Sequence, residues 1–260
     1  MRLTAIGWRA HAALMASGGG AKVTAPLSRS YYVEAAGALI WVGDPDAPLH
    51  PRAALTTNPR VPAAGASIHI ALDGIAPWRP ALPRIRRDAA IEGAHVLRTV
   101  VPTLGSPRGL ARLLVDDPHD DPVITRATPH IRALAAACAR DDARAAGEAA
   151  RPLLGLGDGL TPSGDDYVGG VLFARRLYGE TDQGWEAMIA RVVTDASTLT
   201  HPISARLLTD LAAGEGWAPL HDLANALGAG VASATGWNCT VESRLTASAA
   251  GVAKCPISCT

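Results

Sequence analysis

The sequence has 260 residues and a mass of 26.8 kDa, enough to bury roughly 70 to 75% of the surface of its unfolded chain. Hydrophobic residues make up 48% and charged residues 18%, a composition typical of globular proteins and not of disordered ones. The 24 basic and 24 acidic residues cancel, so no overall field attracts nucleic acid or an acidic membrane surface, and an anionic ligand needs a local site.

The N-terminal residues and the cysteines bear on where the protein works. Arg9 and His11 interrupt the apolar stretch within the first 30 residues, so the apolar core of a secretory signal is missing. No stretch approaches the roughly 18 uncharged apolar residues of a membrane-spanning helix. The cysteines, which form no C-x-x-C pair, are Cys138, Cys239, Cys255 and Cys259. We expect a cytoplasmic protein with reduced thiols that contacts neither nucleic acid nor membrane.

Short apolar runs separated by turn residues predict strands in the N-terminal part. Residues 38–42 form one such run, and residues 67–72 alternate between two faces as a half-buried strand does. Gly and Asp residues supply turn signals after each run. Residues 102–129 are rich in Pro, Asp and Gly and indicate a linker. The first 128 residues are therefore predicted to form a β-rich region.

Helical spacing is predicted from residue 129 onwards. Thr128 is the predicted N-cap, and Pro129 takes the first helical position. Apolar residues then recur at helical intervals over 131–138, 143–150, 168–177, 185–196, 207–211 and 220–227. The sequence predicts an α+β fold: a β-rich region over residues 1–128, a helical region over residues 129–260, and a glycine-rich loop at the junction.

The most informative stretch reads G-L-G-D-G-L-T-P-S-G-D-D over residues 155–166, here called the glycine-rich segment. Glycine leaves backbone N–H groups open to a ligand, and exposed N–H groups that lead into a helix N-terminus are typical of anion sites. Thr161 is predicted to cap that helix, with Pro162 in its first turn. The segment matches neither the Walker A nor the dinucleotide-binding pattern. The predicted ligand-binding residues in it are Gly155, Gly157, Gly159, Thr161, Ser163 and Gly164.

Two adjacent carboxylates, Asp165 and Asp166, end the segment. Three interpretations are open: they hold a divalent cation such as Mg²⁺ that bridges to phosphate, one of them transfers a proton, or both cap the helix. Adjacent helical side chains point about 100° apart and cannot face one ligand equally. We predict that Asp165 faces the ligand or cation and that Asp166 is structural.

A turn at residues 200–204 precedes another predicted helix and contains two further candidates for ligand binding, His201 and Ser204. Ser204 would be a sensible N-cap whatever the function, and His201 has a structural interpretation as well. If both belong to the site, their side chains should lie within about 12 Å of Asp165; otherwise they serve helix capping.

The glycine-rich segment resembles the G-L-G-x-G-L-T-P-S-G-D-D signature of the AllH family. Residues 200–204 and the Thr-Gly-Trp-Asn turn at 235–238 are similar to two further turns of that family. The resemblance implies a subunit of oxamate carbamoyltransferase in purine (allantoin) catabolism, with oxamate, oxalurate and carbamoyl phosphate as its small molecules. It implies a small anionic substrate and an acyl-CoA-synthetase-like partner subunit in an oligomeric assembly. The motif does not settle which subunit supplies the catalytic groups, and within this chain the catalytic candidates are the two carboxylates Asp165 and Asp166.

The sequence departs from the family pattern at two of these positions and leaves other functions open. Asp158 stands where the family commonly has a residue such as proline, and Asn238 replaces an acid. One alternative is a stand-alone metal-dependent hydrolase or phosphotransferase that uses Asp165 and Asp166 with Mg²⁺. The other is a non-catalytic ligand-binding subunit. Turnover by the chain alone with a divalent cation would favour the hydrolase, and turnover only with partner chains the carbamoyltransferase.

Overall fold

A computed structural model describes residues 1–57, 59–100, 109–114, 121–178 and 182–228. Their contacts divide them into two compact units. The first consists of Met1–Ala81 with Glu215–His221, and the second of Leu82–Gly214 with residues 222–228. The turn predicted at residues 235–238 and three of the cysteines, Cys239, Cys255 and Cys259, lie outside the described residues. A domain boundary at residue 128 stays a prediction.

The first unit is built on a six-stranded sheet with the order β1-β5-β4-β3-β2-β6. The strands are β1 (Leu3–Ile6), β2 (Gly20–Pro26), β3 (Tyr31–Ala35), β4 (Ala38–Gly43), β5 (Ala53–Thr56) and β6 (Ser67–His69). All neighbours are antiparallel except β4 and β5. Helix α1 (Trp8–Ala16) packs on β3, β4 and β5. Its buried face meets the sheet in a core that includes Leu14, Val33 and Ile40.

The strand predictions are confirmed in this unit. Residues 38–42 lie in β4, which forms a hairpin with β3 through Ala36 and Gly37. Both turn residues have positive φ (47° and 72°), as a tight two-residue hairpin turn requires. The alternating run at 67–72 begins as β6, and Ile70 just beyond it is fully buried.

The second unit is helical. Its helices are α2 (Arg87–Val100), α3 (Pro122–Ala139), α4 (Ala143–Ala150), α5 (Ser163–Leu177), α6 (Gln183–Leu199) and α7 (Pro202–Ala212), with single 3₁₀ turns at Gly109–Leu114 and Arg151–Leu153. Helix α8 (Ala218–Gly228) starts among the residues that cluster with the first unit. The core of the second unit includes Leu134, Val168 and Trp185. The predicted α+β class, with strands first and helices after them, is confirmed.

The predicted start of α3 was wrong. The helix begins at Pro122, and the Asp121 carboxylate caps it by accepting hydrogen bonds from the N–H groups of Val123 and Ile124 at 2.8 and 3.2 Å. Pro129 lies inside the helix. The sequence offers the same cap-then-proline pattern twice, and the earlier copy starts the helix. Part of the predicted linker is therefore helical.

Two other helix starts also differ from the prediction. Helix α5 begins at Ser163, and Pro162 occupies its N-cap position. No side chain caps the helix there, so Thr161 is not the N-cap. Helix α7 is capped by His201, whose Nδ1 accepts a hydrogen bond from the Ile203 N–H at 3.2 Å. Ser204 therefore lies inside the first turn of α7 and is free to bond elsewhere. Among the described residues, no helix combines the length and apolar character needed to cross a bilayer.

Candidate functional site

The Asp165 carboxylate is the centre of a buried polar cluster in the second unit. Its Oδ1 accepts a hydrogen bond from the Gly155 N–H at 2.8 Å. Its Oδ2 accepts one from the Ser204 hydroxyl at 2.6 Å and another from the Thr200 hydroxyl. Asp165 and Ser204 are each only 2% exposed. Three donors thus replace the water that this carboxylate loses on burial.

These bonds connect the start of the glycine-rich segment, the first turn of α5 and the turn between α6 and α7. Gly155 opens the glycine-rich segment, Thr200 ends α6 and Ser204 lies in the first turn of α7. Asp165 sits in the first turn of α5. The carboxylate therefore fixes the start of the glycine-rich segment relative to three helices, and removing it would leave two half-buried donors and the buried Ser204 hydroxyl without this acceptor.

Two glycines of the segment are required by close packing. Gly155 has φ +73°, and a Cβ there would clash with the Leu199 carbonyl oxygen. A Cβ on Gly164 would clash with the Leu153 carbonyl oxygen. The Gly164 N–H is bonded to the Leu156 carbonyl at 2.9 Å. Both positions hold the segment against the rest of the unit, and neither offers its N–H to a ligand.

The middle of the glycine-rich segment, residues 157–161, differs from Gly155 and Gly164 in the hydrogen bonding of its N–H groups. Within the described chain, no acceptor is recorded for the N–H groups of residues 157–161 or of Ser163 at the start of α5. Gly157 and Gly159 have positive φ (120° and 87°), and the backbone changes direction at both residues. Asp158 and Gly159 are exposed, and Gly157, Leu160 and Thr161 are half-buried, so water or a ligand can reach these N–H groups.

A pocket of about 330 Å³ lies beside this backbone. The lining residues are Pro122, Val123 and Arg126 from α3, and Pro152, Leu154, Gly155, Leu156, Gly157 and Asp158 from the 3₁₀ turn and the segment. Arg126 is exposed, and no ion pair is recorded for it among the described residues. The pocket therefore offers an arginine, apolar side chains and at least one unpaired N–H, that of Gly157, which is a donor set suited to a small anion.

Asp166 differs from Asp165 in the exposure and the hydrogen bonding of its side chain. Its side chain is exposed, and the described residues provide it with no recorded hydrogen bond or ion pair. The carboxyl group loses hydration among the surrounding protein atoms, and this desolvation, with a smaller contribution from the negative charge of Asp165, raises the pKa of Asp166 to about 7. The geometry thus points away from the division we expected. Asp165 is engaged in internal hydrogen bonds, and Asp166 is the carboxyl group that can meet a solute.

The remaining predicted site residues include Ser204, His201, Thr161 and Ser163. Ser204 is within hydrogen-bond distance of Asp165, well inside the expected limit, whereas His201 caps α7 and is exposed. Thr161 and Ser163 carry hydroxyls for which the described chain records no partner. A Cβ on Gly109 would lie 3.1 Å from the Ser163 hydroxyl, so the 3₁₀ turn Gly109–Leu114 adjoins the start of α5.

The cluster is poorly suited to the divalent cation considered above. Amide and hydroxyl hydrogens occupy both oxygens of Asp165, and such donors compete with a cation for the same lone pairs. Within the described residues, no three His, Cys, Asp or Glu side chains converge as metal ligands. Asp166 alone would be a single carboxylate ligand. These residues do not form a Mg²⁺ site between the two aspartates.

A sequence comparison supplies an independent observation on this part of the chain. Residues 153–241 match the family described as oxamate carbamoyltransferase subunit AllH. The AllH match covers about a third of the chain, and it contains the glycine-rich segment, α5, α6 and α7. It confirms the resemblance over these residues and supports a subunit associated with a carbamoyltransferase. Neither the curated proteins nor the solved structures contain a match to this chain.

Sequence reasoning missed Arg126, because it placed this residue in a linker. The pair Asp121–Pro122 was the available signal, since it has the cap-then-proline pattern that starts a helix. Had α3 been started there, Arg126 would have fallen about one turn inside the helix. Its place beside residues 152–158, however, depends on the packing of α3 and has no local signal.

Proposed function

We propose that this chain is a carbamoyltransferase subunit whose glycine-rich segment and Arg126 bind the anionic part of a small substrate. The substrates we infer are oxamate, oxalurate and carbamoyl phosphate, in purine (allantoin) catabolism in the cytoplasm. The observation that carries the proposal is the run of N–H groups at residues 157–161 for which the described residues provide no acceptor, with the first two of these residues and Arg126 lining one pocket. The AllH match over residues 153–241 supports it independently.

The proposed reaction transfers a carbamoyl group between oxalurate and phosphate. An oxygen of hydrogen phosphate attacks the carbamoyl carbon of oxalurate, and a C–O bond forms as the C–N bond to the oxamate nitrogen breaks. That nitrogen keeps the electron pair and takes the proton that phosphate loses. The products are carbamoyl phosphate and oxamate, and the reverse reaction uses the same groups. Negative charge builds up on the carbonyl oxygen during the transfer.

Both reactants are anions, so holding them together is the main task of the site. Backbone N–H groups and an arginine lower the repulsion between them without needing to reorganise during the reaction. Arg126 can bind carboxylate or phosphate through two parallel hydrogen bonds. The N–H groups of residues 157–161 and of Ser163 supply further donors, which we assign to phosphate or to the carbonyl oxygen that becomes negative.

We assign the proton transfer to Asp166. A carboxyl group with a pKa near 7 can both accept and release a proton at neutral pH. Asp165 is then a positioning residue, because it holds the glycine-rich segment through Gly155. In this proposal the catalytic candidate is the exposed aspartate, and the buried one keeps the site in shape.

The family description names a subunit, so we propose that the chain works in a multi-subunit assembly. An acyl-CoA-synthetase-like protein is the proposed partner. Turnover is then expected only when the partner chains are present, whereas binding of the small anion should be measurable on this chain alone.

Calorimetric titration of the full chain with oxamate and with phosphate tests the anion site. Arg126→Gln should weaken binding by about 10-fold or more, as expected for a lost charge-assisted hydrogen bond. Arg132→Gln is the matched control, because Arg132 is an exposed arginine on the same helix that does not line the pocket. Equal affinities for both variants, or no binding to the wild-type chain, would refute the proposed site.

A further inference from the structure

The pocket beside the glycine-rich segment contains two opposite charges that are not paired with each other. Arg126 and Asp158 both line it, and both side chains are exposed. In the described part of the chain neither has a recorded ion pair or hydrogen bond, so their charged atoms are more than 4.0 Å apart. A cation and an anion that share a small pocket without neutralising each other can each take a different group of one ligand.

The rest of the lining limits what that ligand can be. Most of the lining surface is polar, and its apolar part comes from the side chains of Pro122, Val123, Pro152, Leu154 and Leu156. A volume of about 330 Å³ is at the lower end of ligand pockets and suits a compact molecule. Hydrogen-bond donors are supplied by Arg126 and by the N–H groups of the segment, whereas Asp158 is the one carboxylate among the residues that line the pocket. The pocket therefore has donors for an anionic end and a single strong acceptor.

We propose that Asp158 determines the specificity of this pocket, by accepting hydrogen bonds from the N–H₂ end of a ligand whose carboxylate is bound by Arg126. The inference rests on the proposed function of the same site. It assigns the ligand class as short molecules with a carboxylate at one end and an amide or amine donor at the other. Short dicarboxylates are rejected.

Repulsion between negative charges accounts for the rejection of dicarboxylates. A dicarboxylate bound through one end to Arg126 would place its second carboxylate near Asp158, and like charges repel. An amide in the same position donates hydrogen bonds instead. At exposed positions such a difference corresponds to about 10-fold in affinity. Asp158 would thus determine specificity chiefly by weakening the binding of dicarboxylates. Repulsion of an unwanted ligand is a common source of specificity.

Oxamate and oxalate are suitable probes, because they have nearly the same shape and differ only in an NH₂ group in place of a carboxylate oxygen. In metal-free buffer, the full chain should bind oxamate about 10-fold more tightly than oxalate. Asp158→Asn should bring the two affinities close together, since asparagine can turn its own NH₂ group towards a carboxylate. Glu92→Gln controls for net charge, because Glu92 is an exposed acid on α2.

The outcomes separate this inference from the proposed function. If Arg126→Gln weakens both ligands while Asp158→Asn leaves the oxamate-to-oxalate ratio unchanged, the anion site stands and the role of Asp158 is wrong. A ratio near one in the wild-type chain would also overturn that role. If neither ligand binds the wild-type chain, both the anion site and the specificity inference are overturned.

Discussion

The two units bury ionisable side chains in opposite ways. In the second unit, the Asp165 carboxylate is surrounded by three hydrogen-bond donors. In the first unit, His50 is 2% exposed and its Nδ1 accepts one hydrogen bond, from the Arg52 N–H at 3.1 Å. The His50 ring also contacts the Trp217 ring, with centroids 4.7 Å apart. One cluster is rich in donors, and the other is largely aromatic.

The difference shows what each cluster is suited to do. Burial, and secondarily the positive charges of Arg52, Arg9 and His221, lower the pKa of His50 to about 3. This histidine is therefore neutral at physiological pH and packs like an aromatic residue. Asp165 instead connects several elements through polar bonds, and the unpaired N–H groups lie in the segment it holds. The second unit has the polar contacts that a ligand site needs.

The largest expected effect comes from removing the charge at the centre of the donor-rich cluster. Asp165→Asn should lower the free energy of unfolding by about 3 kcal/mol or more, because the amide NH₂ group would face buried donors. Asp166→Asn, at the exposed neighbouring position, should not lower it, because the Asp166 side chain has no recorded hydrogen bond or ion pair among the described residues. Urea denaturation at pH 7 measures both. Similar losses for the two variants would mean that the two carboxylates share one environment.

The close packing of the glycine-rich segment gives the next largest effect. Gly164→Ala should cost about 2 to 3 kcal/mol, because the new methyl group would overlap the Leu153 carbonyl oxygen. Gly170→Ala on the same helix has open space around its Cβ and should stabilise the protein by about 0.5 to 1 kcal/mol. Thermal unfolding of both variants checks the contrast. A neutral Gly164→Ala would show that the 3₁₀ turn Arg151–Leu153 can move away from α5.

The neutral histidine of the first unit predicts a loss of stability in acid. Between pH 6.5 and about 3 the unfolded chain binds a proton at His50 and the folded chain does not. The free energy of unfolding should therefore fall by about 1.4 kcal/mol per pH unit as the pH drops through this range. His50→Gln should remove the part of this pH dependence that His50 contributes. Urea denaturation of both proteins at pH 7, 6 and 5 gives the difference, and parallel curves would contradict it.

The last expected effect, of opposite sign, belongs to Asp166. Its raised pKa means that the folded chain keeps the proton up to about pH 7, whereas the unfolded chain releases it near 3.8. Its contribution to stability is thus present below pH 3.8 and is lost as the pH rises through 7. Carboxyl ¹³C titration by NMR should show a midpoint near 7 that moves down in Asp165→Asn, since that substitution removes a negative charge. A midpoint near 4 in the wild-type chain would remove the case for Asp166 as the proton carrier.

The sequence by itself determined the class of fold and most of the elements. Apolar periodicity located α6, whose predicted inward positions Trp185, Met188 and Val192 are buried. Such patterns are local, because a helix or strand must bury one face wherever it lies in the fold. The glycine-rich segment was also visible from residue types alone, as was its position just before a helix.

Only the tertiary structure decided which residues of the site do what. Nothing local distinguishes Asp165 from Asp166, yet the first meets Gly155, Thr200 and Ser204 while the second faces solvent. The position of Arg126 beside the segment likewise depends on how α3 packs. Hydrogen bonds and burial at these positions arise between elements that are far apart in the chain. The pattern of residues within any one element therefore cannot specify them.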